Sequence, residues 1–263
     1  MKTTIQSYLP GDHPWQNHIS WFDTIDSTNT RLKELARQGA PHGTVLIADR
    51  QTGGRGRLGR SFQSPSGMGV YMSVLLRYAE PPEQLMHLTC AAAVAACQAV
   101  EAATGIRPGI KWTNDLVYEK RKLAGILTEL VSLPGETTAV IGIGINCCQS
   151  LTDFDPQIQG FASSLAMASG KNIDRAQVAA QLILALSHMD KVLFTEKNAI
   201  MERYQAGCIT VGQDISLLRG DEVRHGHAVG IDESGALLVR FPDGHTEAVS
   251  SGEVSVRGMY GYI

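Results

Sequence analysis

The sequence has 263 residues, with 23 lysines and arginines against 26 aspartates and glutamates, a net charge of −3. That balance excludes recruitment of nucleic acid or an acidic membrane by bulk charge. At 43% hydrophobic and 19% charged residues the chain can bury a full core without staples, and its length predicts one large domain with a smaller partner. Five cysteines, Cys90, Cys97, Cys147, Cys148 and Cys208, form an odd set without C-x-x-C spacing, which argues against a disulfide framework and for a reducing, cytoplasmic setting. The first residues, MKTTIQSYLPGDHPWQ, carry no apolar h-region, so no secretory signal is expected.

In chain order, SWFDT reads as a short strand. Ser27 and Thr28 then offer hydroxyl caps to a helix that carries Leu32, Leu35 and Ala36 and closes at Gly39. TVLIAD, residues 44–49, is an apolar β-branched run suited to a buried strand. From Gln51 to Gly69 glycines alternate with Arg55, Arg57 and Arg60, and Pro65 follows. This segment is too flexible for a helix and too charged to bury, and it reads as a long functional loop. VYMSVLL predicts a strand, and residues 82–103 a long alanine-rich helix stopped by Gly105 and Pro108.

IKW, LVY, LAGILTEL and TTAVIGIGIN then read as strands joined by short turns, one charged at Glu119–Arg121 and one at Pro134-Gly135, and so antiparallel. Apolar residues at helical spacing from Asp174 to Phe194 predict a covering helix. Beyond Gly207 the short pieces ITV, ISLL, HAVGI, ALLVRF, TEAVS and EVSV predict a small β-barrel. The expected organisation is an α/β unit over 1–207, a mixed and antiparallel sheet covered by helices, and a small barrel over 208–263.

Three constellations carry chemistry. In QTGGRGRLGR, Gln51 to Arg60, glycines let backbone N–H groups converge on an anion while arginines supply forks of donors for phosphate or carboxylate. Gly54, Gly56 and Gly59 satisfy G-x-G-x-x-G, but Pro65, Gly67 and Gly69 forbid the helix that a dinucleotide site requires, and no P-loop is present. In IKWTNDL and RKLAGIL, a tight turn brings Asn114 and Asp115 toward Lys122, a lysine flanked by apolar residues and Gly125. In GIGIN, Gly142 and Gly144 interrupt an apolar strand and point to close approach of a backbone or a ligand. His225, His227 and His245 on the C-terminal pieces are read as exposed histidines rather than metal ligands, and no metal site is expected.

Taken together and in order, DSTNT, QTGGRGRLGR, KWTNDL, RKLAGIL, GIGIN and SGEVSVRG resemble the biotin protein ligases. The resemblance implies a class II synthetase-like catalytic domain followed by an SH3-like barrel. It also implies a reaction in which the biotin carboxylate attacks the α-phosphate of ATP with Mg²⁺ present, and a lysine of a biotin carboxyl carrier protein then attacks the acyl carbon of biotinyl-5′-AMP.

By position in the motifs it implies that Ser27, Thr28, Asn29 and Gln51 hold biotin, with Gly54, Arg55, Gly142 and Gly144 closing the pocket. Arg57 and Arg60 fall in the loop over the adenylate, and Lys122 bridges the biotin carboxylate and the α-phosphate. Lys111 and Asn114 lie beside the nucleotide, and Asn146 contacts phosphate or ribose. Asp115 orients the carrier lysine or meets Mg²⁺. Lys122, Arg57 and Asp115 form the catalytic set.

This chain has Thr113 where family members usually carry proline, which loosens the backbone before Asn114. Only 26 residues precede Ser27, so no DNA-binding domain is expected, and no DNA or membrane partner; a homodimer is allowed. The alternatives are a lipoate or octanoate ligase of the same fold, whose Arg-Arg and Ser-Gly-Gly-Gly pattern is absent, and a nucleic-acid-binding module, which the −3 charge and 6% aromatic content oppose.

Overall fold

The computed structural model describes residues 1–250 and the backbone of Ser255–Gly258. The first half of SGEVSVRG, at 251–254, lies outside the described residues.

A mixed seven-stranded sheet runs through the larger part of the molecule. Its strands are β1 (Ile19–Ile25), β2 (Thr44–Gln51), β3 (Gly69–Tyr78), β4 (Gly109–Lys111), β5 (Asp115–Tyr118), β6 (Arg121–Leu133) and β7 (Glu136–Asn146), in the spatial order β1-β2-β3-β7-β6-β5-β4. Within this sheet only β1 and β2 pair in parallel, because the helix between them, α2 (Thr28–Arg37), is a crossover; all the other pairs are antiparallel, and the strands from β4 to β7 follow one another through short turns. The β5–β6 turn is two residues long, Glu119 and Lys120, both with positive φ, the twist that a tight hairpin requires.

Side chains alternate across the sheet, and the two faces meet different partners. Val70, Met72, Val74 and Leu76 of β3, with Ile141, Ile143 and Ile145 of β7, join the main core beneath α3 (Leu88–Thr104), α5 (Arg175–Val192) and α6 (Lys197–Gly207). Leu75 and Val140 face the opposite way and pack with Leu32 and Ala36 of α2 in a smaller core. By length and composition α3 and its preceding turn could span a bilayer, but two thirds of that stretch is buried here, and its alanines let it lie against α5, α6 and the sheet.

Sequence reading misses α1 (Lys2–Ser7), α4 (Leu165–Ser169) and α6, and it extends one helix through Pro82, where the structure has a separate 3-10 turn at Pro82–Leu85. The C-terminal pieces form a five-stranded antiparallel sheet: β8 (Asp214–Arg219), β9 (Glu222–Ile231), β10 (Leu237–Arg240), β11 (Thr246–Val249) and β12 (Ser255–Gly258), in the order β11-β10-β9-β8-β12. ITV, read as a strand, is instead the turn leading out of α6. Among the described residues β11 and β12 do not pair, so strand pairing gives an open sheet where the spacing predicts a barrel. Ile215, Leu217, Leu237 and Val239 of this sheet are continuous with the main core.

Candidate functional site

The α2 face of the sheet holds a cleft at its centre because its strands carry glycine there. Gly144 stands opposite Tyr71 on one side and Gly125 on the other, and Gly142 stands opposite Ser73 and Leu127. Side chains approach all three closely, and at Gly142 and Gly144 a Cβ would force a neighbour to shift. A Cβ on Gly142 would lie 2.1 Å from Asn29 Oδ1, one on Gly144 2.5 Å from the Phe62 ring, and one on Gly125 3.2 Å from Lys122 Nζ. The side chain of Lys122 therefore lies across the sheet over Gly125.

One end of the cleft is lined chiefly by uncharged polar side chains, with an ion cluster around Glu129 beside them. Ser27 caps α2, accepting from Thr30 N (3.4 Å), so the first turn of the helix faces the cleft. Gln51, at the end of β2, accepts from Thr28 N (2.8 Å) and Thr28 Oγ1 (3.1 Å), and its amide nitrogen donates to Ser64 Oγ (3.1 Å). Fully buried Ser73 lies 2.7 Å from Thr28 Oγ1 and 2.5 Å from Asn29 Oδ1. Asn29 Nδ2 donates to Glu129 Oε2 (2.9 Å), and Glu129 also pairs with Lys33 (2.7 Å) and Arg55 (3.5 Å). Burial alone would raise the Glu129 carboxyl, but the hydrogen bonds from Lys33 and Asn29 outweigh it and hold the group below its ordinary value.

The other end is cationic. Arg57, Arg60, Lys111 and Lys122 line it with one lining carboxylate, Asp115, while Arg55 lines the cleft on the side of Glu129. On a protein of net charge −3 this is a local inversion of sign. Lys122 Nζ lies 2.6 Å from Asp115 Oδ1, and its backbone is pinned by Lys122 N to Phe161 O (2.7 Å) and Ser163 N to Lys122 O (2.9 Å). Asn114 exchanges bonds with Ile126 of β6, through Ile126 N to Asn114 O (2.9 Å) and Asn114 Nδ2 to Ile126 O (2.8 Å). That leaves Asn114 Oδ1 turned toward Arg57 Nη1 at 3.0 Å. Burial lowers the Arg57 guanidinium from its ordinary value, Asp115 opposes this and Arg60 adds to it; the group stays a cation.

The arginine segment itself is a hairpin, with Gly56 N donating to Arg60 O (2.7 Å) and Phe62 N to Gly54 O (2.9 Å). Gly54 cannot carry a side chain, since its Cβ would lie 2.3 Å from Phe62 O.

Most of the residues singled out from sequence line this one cleft: Ser27, Thr28, Asn29, Gln51, Arg55, Arg57, Arg60, Lys111, Asn114, Asp115, Lys122, Gly142 and Gly144. Gly54 and Asn146 do not. Asn146 is buried, donates to Ser163 O (3.0 Å) and accepts from Gln149 Nε2 (3.2 Å), behind the segment that pins Lys122. Sequence reasoning did not single out Phe62, Ser73, Trp112 or Glu129; Phe62 and Trp112 sit inside the quoted motifs or beside them, whereas Ser73 and Glu129 carry no local signal. Among the described residues no three His, Cys, Asp or Glu side chains gather as a metal centre. His225 lies beside Ser216, His227 beside Asp214 and His245 beside Asp243.

Such a cleft can hold a neutral polar group at one end and carboxylate or phosphate oxygens at the other. Residues 21–146 match the model of the biotin/lipoate A/B protein ligase family, and residues 210–257 that of the biotin protein ligase C-terminal domain. The chain is 39% identical over 232 residues to the bifunctional ligase/repressor BirA of Bacillus spizizenii, covering 86% of this chain and 70% of that protein. It is 33% identical to the biotin–[acetyl-CoA-carboxylase] ligase of Mycobacterium tuberculosis, covering 87% and 85%. The structure of the biotin protein ligase from Aquifex aeolicus in complex with biotin and ATP superposes with a TM-score of 0.78 at 32% identity, covering 92% of this chain and 99% of that one.

Proposed function

The chain belongs to the biotin protein ligase family, and from that premise we infer that the cleft activates biotin with ATP and hands the acyl group to a lysine of a carrier protein. The observation that supports this most directly is the joining, over a glycine floor, of a polar pocket to a cluster of Arg57, Arg60, Lys111 and Lys122 beside one carboxylate, Asp115.

In the first step a biotin carboxylate oxygen attacks the α-phosphorus of ATP and the bond to pyrophosphate breaks, giving biotinyl-5′-AMP. Two anions must approach to bonding distance, so charge between them is the main requirement. Lys122, already held across Gly125, is the group assigned to that position, and Arg57, Arg60, Lys111 and Asn114 are assigned to the phosphates and nucleotide. Ser27, Thr28, Asn29 and Gln51 are assigned to the ring system of biotin, with Gly54, Arg55, Gly142 and Gly144 shaping its pocket.

In the second step the carrier amine attacks the acyl carbon and AMP leaves with the bonding electrons. Asp115 is placed to receive the amine's proton once Lys122 turns to the ligand. A nucleotide contact by Asn146 requires its pairing with Ser163 and Gln149 to open.

Mg²⁺ would fit this donor set only as an ion carried by the triphosphate, since Asp115 is the one carboxylate among the lining residues and no all-protein cage exists among the described residues. When bound it neutralises phosphate charge. The proposal divides the chain into a catalytic unit, 1–207, and a C-terminal unit, 208–263, whose sheet would be SH3-like although the pairing among the described residues leaves it open between β11 and β12. It places the enzyme in the cytoplasm with a biotin carboxyl carrier protein or domain as partner, and includes no DNA or membrane partner.

The test is transfer: with biotin, ATP and Mg²⁺ the protein adds one biotin, read by mass, to the lysine of a purified carboxyl carrier domain. No mass gain on any carrier under conditions where a known biotin ligase labels it overturns the reading.

A further inference from the structure

We propose that Glu129 and Ser73 are positioning residues that set the direction of the protons at the polar end of the cleft and leave Gln51 Oε1 open as an acceptor for a ligand with N–H donors. The proposal rests on the ligase reading for the identity of that ligand, biotin, whose ureido ring presents N–H groups, and stands apart from it for the proton directions.

The relay starts at Glu129 of β6, whose side chain is 20% exposed. Lys33 Nζ holds Oε1 at 2.7 Å and Arg55 Nη1 approaches the same oxygen at 3.5 Å, so Oε2 is left to face Asn29 Nδ2 at 2.9 Å. The other proton of that amide goes to Leu127 O (3.1 Å). A carboxylate and a carbonyl can only accept, so the Asn29 nitrogen must face them and its oxygen must face Ser73.

Ser73, fully buried on β3, has one hydroxyl proton and two oxygens beside it, Asn29 Oδ1 at 2.5 Å and Thr28 Oγ1 at 2.7 Å. The amide oxygen cannot donate, whereas the Thr28 hydroxyl can. Ser73 therefore gives its proton to Asn29, and Thr28 gives its proton to Ser73. The contact from Thr28 Oγ1 to Gln51 Oε1, at 3.1 Å the longer of the two that Thr28 makes, is the one surrendered.

Gln51 does not turn over in response. Its nitrogen donates to Ser64 Oγ (3.1 Å), whose own proton goes to Phe62 O (3.0 Å), and its oxygen accepts from Thr28 N (2.8 Å). Two oxygens thus stand 3.1 Å apart without a proton between them, a place for an N–H that reaches both. Lipoate and octanoate present no N–H, so the same arrangement disfavours them.

The direct test is neutron diffraction from crystals of the deuterated, ligand-free protein. The Ser73 deuteron is expected on the line to Asn29 Oδ1 and the Thr28 deuteron on the line to Ser73 Oγ. A Thr28 deuteron directed at Gln51 Oε1 overturns the proposal. In solution, Ser73→Ala releases the Thr28 proton to Gln51. In Glu129→Gln the two cations claim the new amide's oxygen, so its nitrogen opposes Asn29 Nδ2 and no longer fixes that amide.

Each substitution is expected to raise the biotin Kd about tenfold. The rate of adenylate formation at saturating biotin is expected to stay within about twofold, because Lys122 and Arg57 are untouched. The double variant is expected to remain near about tenfold rather than reach about a hundredfold, since both changes break one relay. Parent-like biotin affinity in either single variant, multiplicative losses in the double, or a saturated rate that falls as far as affinity overturns the relay. Should a variant fold poorly, the deuteron positions in the parent decide alone. A parent that binds no biotin overturns the ligase reading instead, and leaves the deuteron positions to judge the relay.

Discussion

Lys122 concentrates the chemistry in one side chain. Its ammonium sits 2.6 Å from Asp115 and is held over a glycine that a Cβ would crowd. Lys122→Ala leaves the biotin carboxylate and the α-phosphate unneutralised while the polar pocket stays intact. The rate of biotinyl-AMP formation is expected to fall about 10²- to 10³-fold, with biotin affinity changed far less. Lys122→Arg restores only part, since a planar fork does not occupy the place of a compact ammonium. Single-turnover rates and equilibrium binding of biotin separate the two quantities, and parent-rate adenylate formation in Lys122→Ala removes the lysine from the mechanism. At Gly142 the prediction is of the opposite kind. An alanine methyl 2.1 Å from Asn29 Oδ1 displaces that amide and its bonds to Ser73 and Glu129, so Gly142→Ala is expected to raise KM for biotin with a cost of about 1 to 3 kcal/mol in stability, read by steady-state kinetics and thermal unfolding. Lysines and glycines of this kind were legible in the sequence because each breaks the pattern of an apolar strand. Ser73 and Glu129 were not, because on strands they look like ordinary polar positions until β3 and β6 are laid beside α2.

At the scale of elements, capping residues revealed α2, alanine content and a Gly-Pro stop revealed α3, helical spacing revealed α5, and short turns revealed the run of antiparallel strands after β4. These signals could not reveal α6, which buries few residues within KNAIMERYQAG, or that β1 and β2 are parallel, which follows from where α2 packs rather than from either strand. Nor could they reveal how the arginine segment is moored. Asp49, at the end of β2, accepts from Ser66 Oγ, from Gly67 N (3.2 Å) and from Arg175 Nη1 of α5 (2.9 Å), so it ties the far end of that segment to two elements. Burial pushes the Asp49 carboxyl up, but these bonds outweigh it and hold the group below its ordinary value of 3.8. A depressed carboxylate stabilises the fold above its unfolded pKa and loses that contribution as pH falls through the folded value. The difference in thermal midpoint between the parent and Asp49→Asn is therefore expected to be full near neutral pH and to shrink as pH drops below about 4. A difference that stays constant from pH 3 to pH 7 contradicts this mooring.

Across the whole molecule the two units share one core and are laced by polar bonds at β4, its turn and α6. Ile209 N donates to Ile110 O (2.9 Å), Trp112 Nε1 to Gly235 O (3.0 Å), and Ile231 N to Gln205 Oε1 (3.1 Å). Trp112, which lines the cleft, is thus held by the C-terminal sheet. Deleting 208–263 is expected to lower the thermal midpoint and abolish measurable adenylate synthesis together, whereas a truncated protein with full activity would show the second sheet to be dispensable. The texture change after Gly207 made that second unit legible; its lacing to Trp112 was invisible, because it depends on contacts more than a hundred residues apart. The central claim is that this cleft couples biotin to ATP, and it is tested most directly by exchange of labelled pyrophosphate into ATP, which needs no carrier. Exchange that depends on biotin, and is not supported by lipoate or octanoate, is the predicted result; exchange driven by lipoate or octanoate but not by biotin would contradict it.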